Sequence, residues 1–349
     1  MPALLPMSQS LSPSTCESAY SLAFHPVYRY SLFLQFIILI TAVLPLTYFL
    51  WVKLRKSSFH GNLKWLLGGY FGSILGFTVL LLVLATAQIL LPSFSTSKCD
   101  VIFSEKYYRL SSFSVAFFMS LPTFFPIFIT IERFFATKLA EKYDKKRVLL
   151  GPVMTVFVIF LDFLIILDFF KDETFDGGAV NLMFYPATVA PSIYALLWVL
   201  IALNIIDIFF NYLLLRQNSK FKKLNSSLSA KYQLEEVYFS TVFSISVMSL
   251  HIVLYGVYVS LIMFWRYWGQ IIISNPEDLP AVRGATVTTV EICNLVIGSV
   301  AVHLYRELRK KKSNELSGNV GMQATGRAGV RNYEDAINNI WNSHSRNSF

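Results

Sequence analysis

The sequence predicts an all-α membrane protein, a bundle of seven transmembrane helices with its N-terminus extracellular and its C-terminus cytosolic. Three observations carry this. Hydrophobic residues form 54% of the 349-residue chain and charged residues 15%, where a soluble domain carries roughly 25% charge. Its 31 Phe and 18 Tyr are more aromatic surface than a water-facing globule of this size hides. Seven stretches reach the roughly 20 apolar residues that cross a bilayer core as helix, and Lys and Arg fall between them. No alternating strand pattern competes, and only helix satisfies an open chain's backbone in lipid. Only 16 Gly, 13 Pro and three Cys exclude collagen, a disordered chain and a disulfide scaffold.

In chain order, residues 1–29 form an extracellular segment. Its start lacks both a basic patch and a continuous apolar core, so it is not a cleavable signal peptide, and the first span, 30–52, acts as signal anchor. The remaining spans are 65–91, 111–131, 151–170, 188–215, 237–264 and 284–305. The last is diluted by Thr286, Thr288, Thr289, Glu291 and Asn294. The connections are too short to house a folded domain, so function must sit in the transmembrane domain 30–305 and on its rims. The tail, 306–349, is cytosolic, with Gly318, Gly321, Gly326 and Gly329 favouring flexibility beyond Leu316.

Twenty of the 30 Lys and Arg lie in the first, third and fifth connections and just after the last span, against seven on the other side. That bias sets the sidedness. It also assigns the net charge of +9 to membrane insertion and anionic lipid contact, not to nucleic acid. The triplet Asn225-Ser226-Ser227 then falls on the cytosolic side and stays unglycosylated.

Several residues carry candidate functions. Glu132-Arg133 closes the third span at its cytosolic end. Such an Arg either folds onto its own Glu or reaches the sixth helix, near Glu235 and Glu236, and latches a closed bundle; an ordinary snorkelling Arg is the alternative. Cys16 and Cys99 share the oxidising side and form either a disulfide or two free thiols, while Cys293 reads as packing. Asp162, Asp168, Asp207 and Glu291 are intramembrane acids, costly in lipid and therefore candidates. Glu291 lies at the depth of a ligand pocket that Phe117, Phe118, Tyr194, His251 and Tyr255 also line; Tyr258 joins the aromatics there, and packing is the competing reading for each. Asp207, Asn204 and Asn211 mark one face of the fifth helix for interhelical bonding. Pro122 and Pro126 interrupt the third helix, and Pro45 and Pro191 the first and fifth. No histidine box, HExxH, GxSxG or phosphate loop is present, and the five His are scattered, so neither an enzyme, a cofactor nor a metal is expected.

Short words then resemble a known family. Cys16 followed by Phe24-His25-Pro26-Val27-Tyr28-Arg29 looks like the opening of nematode serpentine chemoreceptors. Phe59-His60-Gly61-Asn62-Leu63-Lys64 is similar to the first cytosolic loop of serpentine receptor class beta. Glu132-Arg133-Phe134-Phe135-Ala136, with Tyr143-Asp144, resembles a signature shared with the a and ab classes. The resemblance implies a chemosensory G-protein-coupled receptor in the plasma membrane of sensory neurons. A small extracellular ligand would bind the outer half of the bundle, and a heterotrimeric G protein would engage helices three, five and six. Glu132 and Arg133 match the family's switch pair, and the basic loops carrying Lys142, Lys145, Lys146 and Arg147, and Lys220, Lys222 and Lys223, would flank the G protein. The rhodopsin pattern is departed from: Phe134 follows the Arg, helix two lacks the sodium-site Asp, and spans six and seven lack Pro. Four intramembrane acids and no intramembrane base suit a cationic ligand. The rival readings are a channel of the insect odorant-receptor type, whose N-terminus is cytosolic, and a small-solute transporter with inverted repeats.

Overall fold

A computed structural model describes residues 13–138, 148–175, 179–224, 228–275, 278–319, 330 and 333–335, with backbone alone at 221–224, 228–233, 312–313 and 315–319. The candidate loop residues Lys142, Lys145, Lys146 and Arg147, the word Tyr143-Asp144 and the triplet at Asn225 lie outside the described residues, as do the side chains of Lys222 and Lys223. Lys220 is exposed. The chain up to His303 forms one compact unit, and the residues from Leu304 form another, which carries an exposed Lys310–Glu307 ion pair.

Seven helices are long and apolar enough to cross a membrane: Pro26–Leu54, Gly61–Phe94, Glu105–Lys138, Leu150–Phe170, Ala190–Lys220, Leu234–Tyr267 and Asp278–Lys311. Most overrun the apolar stretches that announced them, because lipid sets the apolar length while backbone hydrogen bonding continues the helix into the polar rims. Local sequence explains several ends. His25 is extended (φ −61°, ψ 127°) ahead of Pro26, which opens the first span where a missing N–H costs nothing. Past Pro45 that span widens into a π-helical turn, Phe49–Leu54. Pro191 does not interrupt the fifth helix as expected. It is the second residue of a helix beginning at Ala190, among the orphan N–H positions of the first turn.

The third span is the axis of the bundle. It packs against the second, fourth, fifth and sixth spans, and 67% of its apolar window is buried, compared with 28% for the fourth span at the periphery. The exposed aromatics and aliphatics on the other helices, such as Phe157, Phe160, Phe209 and Phe210, are the surface this architecture offers to lipid. Close approach of the second and fourth spans rests on one word. The His60 Nδ1 caps its helix by accepting from the Asn62 N–H (3.3 Å), and Asn62 Oδ1 accepts from the Gly151 N–H (3.0 Å). A Cβ at Gly151 would lie 2.2 Å from the Asn62 carbonyl oxygen, so only Gly fits.

At the opposite end, a helix at Pro13–Phe24 lies before the first span. It buries Cys16, Ala19 and Ala23 on one face, the last two against Val101, with Ile102 and Val180 alongside. Cys16 and Cys99 form a disulfide, their Cα atoms 4.7 Å apart. Phe103 and Ala179 pair through both backbone hydrogen bonds, tying the approach to the third span to the loop between the fourth and fifth. An exposed Lys98–Glu17 ion pair (2.6 Å) adds to this cap, raising the Lys98 pKa and lowering that of Glu17.

Candidate functional site

The side chains singled out for chemistry gather at two levels, one near the Arg133 end of the bundle and one nearer the disulfide end, joined by polar contacts along the third span.

At the first level, Arg133 is 1% exposed and Glu132 0%. Arg133 Nε and Nη2 donate to the two Glu132 oxygens (2.5 and 2.7 Å), a bidentate pairing, and Nη1 donates to Ser240 Oγ of the sixth span at 2.6 Å. Arg133 therefore does both things considered for it: it folds onto its own Glu and it crosses to the sixth helix. The crossing ends on a hydroxyl, one turn beyond Glu236, and Ser240 itself donates to the Glu236 carbonyl (2.8 Å). A buried guanidinium satisfied in this way is not a snorkelling Arg. One turn toward the bundle centre, Thr130 donates to Asp207 (2.8 Å), and Asn211 donates to both, locking the third span to the fifth.

The two prolines of the third helix explain the next contacts. A proline removes its own N–H and opens the carbonyls of the preceding turn. Three residues before Pro122, the Met119 carbonyl accepts from the Tyr255 hydroxyl of the sixth span (2.8 Å). Three residues before Pro126, the Thr123 carbonyl accepts from Asn204 of the fifth span (2.8 Å). Side chains from two other spans thus satisfy backbone groups beside the kinks. Between them Ser120 donates to Asp162 of the fourth span (2.6 Å). Asp168, by contrast, forms an exposed pair with Lys171.

Tyrosines dominate the level nearer the disulfide. Tyr255 and Tyr258 are buried with ring centroids 6.0 Å apart. Tyr185, from the loop before the fifth span, donates to Met119 Sδ (2.9 Å) and packs on Tyr194 at 6.1 Å. His251 lies edge-on to Tyr255 (5.3 Å) and shares a hydrogen bond with the Tyr70 hydroxyl (3.0 Å), a partner that sequence reasoning missed. Phe117 and Phe118 join the same apolar cluster from its periphery: Phe117 faces Phe163 of the fourth span (6.4 Å), and Phe118 lies against Gly76 of the second.

Glu291 sits beside this group, within electrostatic reach of Tyr258. It is 0% exposed, and neither carboxyl oxygen has a hydrogen-bond partner among the described residues. The seventh span is broken one turn earlier: one helix ends at Thr286 and the next begins at Thr288, with tight i to i+3 bonds through Val287. Gln35 of the first span spans the break, donating to the Gly284 carbonyl (2.9 Å) and to Thr288 Oγ1 (3.2 Å). Broken helix at membrane depth is tolerated where it is buried in protein or lines a cavity. Cys293 is buried as a free thiol. Among the described residues, no group of three His, Cys, Asp or Glu is arranged to hold a metal.

Comparison with known proteins follows the geometry. A family model described as serpentine type 7TM GPCR chemoreceptor Srb matches residues 24–255. Serpentine receptor class beta-15 of Caenorhabditis elegans is 48% identical over 328 residues, covering 94% of this chain and 98% of the relative. Serpentine receptor class beta-7 of the same nematode is 47% identical over 333 residues, covering 95% and 96%. Serpentine receptor class beta-11 is 42% identical over 336 residues, covering 96% of each.

Proposed function

The chain belongs to the Srb family of serpentine-type seven-transmembrane chemoreceptors, and from that premise we propose that it couples a small extracellular ligand to a heterotrimeric G protein. It is a multi-pass membrane protein and a chemosensory receptor of the G-protein-coupled kind. In the proposed reading the disulfide end faces outward and the Arg133 end faces the cytosol of a sensory neuron, as the positive-inside bias requires. Ligand enters at the tyrosine level. Binding favours a packing in which the sixth span leaves the third and opens a crevice between helices three, five and six.

The observation that carries this reading is Arg133. It is buried, doubly bonded to Glu132, and bonded to Ser240 of the sixth span through a short contact. A contact of this kind is a two-state element: closed, the guanidinium is satisfied within the bundle; open, it is free to meet a G protein. The basic residues Lys142, Lys145, Lys146 and Arg147, with Lys220, Lys222 and Lys223, flank the crevice. Phe117, Phe118, Tyr194, His251, Tyr255 and Glu291 line or support the ligand region.

The test is expression in a heterologous cell carrying a G-protein reporter, screened against volatile and water-soluble chemicals, with Arg133→Ala in parallel. The variant should reach the surface and signal abnormally; unaltered signalling would remove Arg133 from the switch. An epitope ahead of Cys16 should stain on intact cells, and staining only after permeabilisation would reverse the sidedness.

A further inference from the structure

The acids that suggested a cationic ligand are largely committed to the bundle itself. Asp162 accepts from Ser120, Asp207 from Thr130 and Asn211, and Asp168 pairs with Lys171. Glu291 is the exception, deeper beside Tyr258 and without a hydrogen-bond partner among the described residues; at the outer edge of the tyrosines the charges are positive. Arg266, at the end of the sixth span, lies with its guanidinium 5.8 Å from the Tyr194 ring centroid and, among the described residues, donates to the Ala187 carbonyl alone (3.1 Å). Among the described residues, Arg283, in the first turns of the seventh span, donates to the Trp265 carbonyl alone (3.0 Å), and its buried Nε has no partner. Each guanidinium has five N–H donors and here uses one. The two lie within electrostatic range of each other and of Tyr194. Among the described residues neither has an acidic partner.

Two neighbouring like charges attract an anion, and their unused donors offer it charge-assisted hydrogen bonds. Their position argues against simple snorkelling to lipid. Arg266 bonds the loop residue Ala187 and overlies Tyr194, which packs on Tyr185 at the head of the buried tyrosine cluster. Beneath lie Tyr258, Val287 and Val290, an aromatic and aliphatic floor.

We propose that Arg266 and Arg283, with the Tyr194 ring between them and the cluster, hold the anionic head group of an amphipathic ligand (a carboxylate, sulfate or phosphate ester) whose apolar body enters the tyrosine-lined region. The proposal rests on the reading of this level as the ligand site and names the ligand's class. Guanidiniums clamp planar oxyanions bidentately, and the tyrosines accept an apolar or aromatic body. Glu291 lies deeper and is not part of the head-group clamp.

The test measures binding without a G protein, so that failure of coupling leaves it intact. The full chain, in phosphatidylcholine nanodiscs, is titrated to millimolar levels with three probes of one shape: 4-phenylbutyrate, 4-phenylbutan-1-ol and 4-phenylbutylammonium. The midpoint of thermal unfolding is read. The butyrate should raise it, and the other two should not. Arg266→Gln/Arg283→Gln should unfold cooperatively and lose the shift, weakening binding by about tenfold or more, as expected for charge-assisted hydrogen bonds. Asp168→Asn, in an exposed ion pair with Lys171 and outside the tyrosine-lined region, should keep it. Nanodiscs containing phosphatidylglycerol identify the source of the anion: stabilisation by that lipid, lost in the double variant and occluding the butyrate, would make it a lipid head group. The proposal is overturned if the ammonium probe is the stabiliser, if the cooperatively folding arginine variant keeps the butyrate shift, or if neither butyrate nor anionic lipid stabilises the cooperatively folding wild type.

Discussion

Replacing Ser240 by Ala tests the switch at its least redundant contact. Arg133 keeps both bonds to Glu132, because these run within the third span; only the Nη1 contact to the sixth span, 2.6 Å long, is deleted. A hydrogen bond to a charged group contributes about 1.5–3 kcal/mol, whereas interhelical bonds measured in membranes average about 0.6 kcal/mol. If the bond exists only in the closed packing, that packing loses between these figures, and the open-to-closed ratio rises about threefold at the low end and about a hundredfold at the high end. From an open population of about 1%, that gives roughly 3% to 50%. The assay is ligand-free signalling in the reporter cell, normalised to surface receptor. Ser240→Ala should raise it at least about threefold, and Ser240→Thr, which keeps the hydroxyl, should stay near wild type. Basal signalling unchanged in Ser240→Ala at equal surface density would refute the latch, as would an equal rise in Ser240→Thr.

Gly151→Ala places a methyl against the Asn62 backbone rather than against a flexible side chain, so it should cost about 1–3 kcal/mol and reduce folded receptor at the surface, read by thermal unfolding and surface labelling. Cys16→Ser opens a loop with a sequence separation of 83. Chain entropy sets an upper bound of about 4–5 kcal/mol, less here because the first two spans are already held in lipid; the midpoint should fall, and peptide mapping should recover Cys16 and Cys99 cross-linked only in the wild type. Asp100 accepts from Thr96 and Ser97, which holds its carboxyl at about 2, below the usual carboxylate range. With a depressed folded value, its contribution is present above about pH 4 and lost as pH falls toward 2. Asp100→Asn should therefore lower the midpoint at pH 6, and the gap to wild type should narrow between about pH 4 and pH 2.

How far this receptor could be read in advance follows from the range of each interaction. Spans and basic rims were legible because they depend on stretches of chain, and lipid imposes a length on them. Three short words were legible because their work is local. His25-Pro26 starts a helix, Glu132-Arg133 closes on itself, and His60-Gly61-Asn62 caps the second span while Asn62 also reaches across to Gly151. The partners across the bundle were not legible. Ser240, Tyr70 and Met119 lie 107, 181 and 136 residues from the groups they satisfy, and each looks like filler until the rotation of its helix is known. Pro191 was misread for the same reason in miniature: its effect depends on where the helix starts, and apolar composition leaves that end undefined by several residues. The acids show the limit most clearly. Asp162, Asp207 and Glu291 looked alike as lone carboxyls in lipid, yet two are held by hydroxyl or amide groups of other turns and one by none. Burial cost marks such residues as unusual, but whether the cost is offset inside the bundle is decided by neighbours one or two helices away. The arginines at the mouth invert that argument: Arg266 and Arg283 read as ordinary rim charges, and only their convergence on Tyr194 with no acidic partner among the described residues sets them apart.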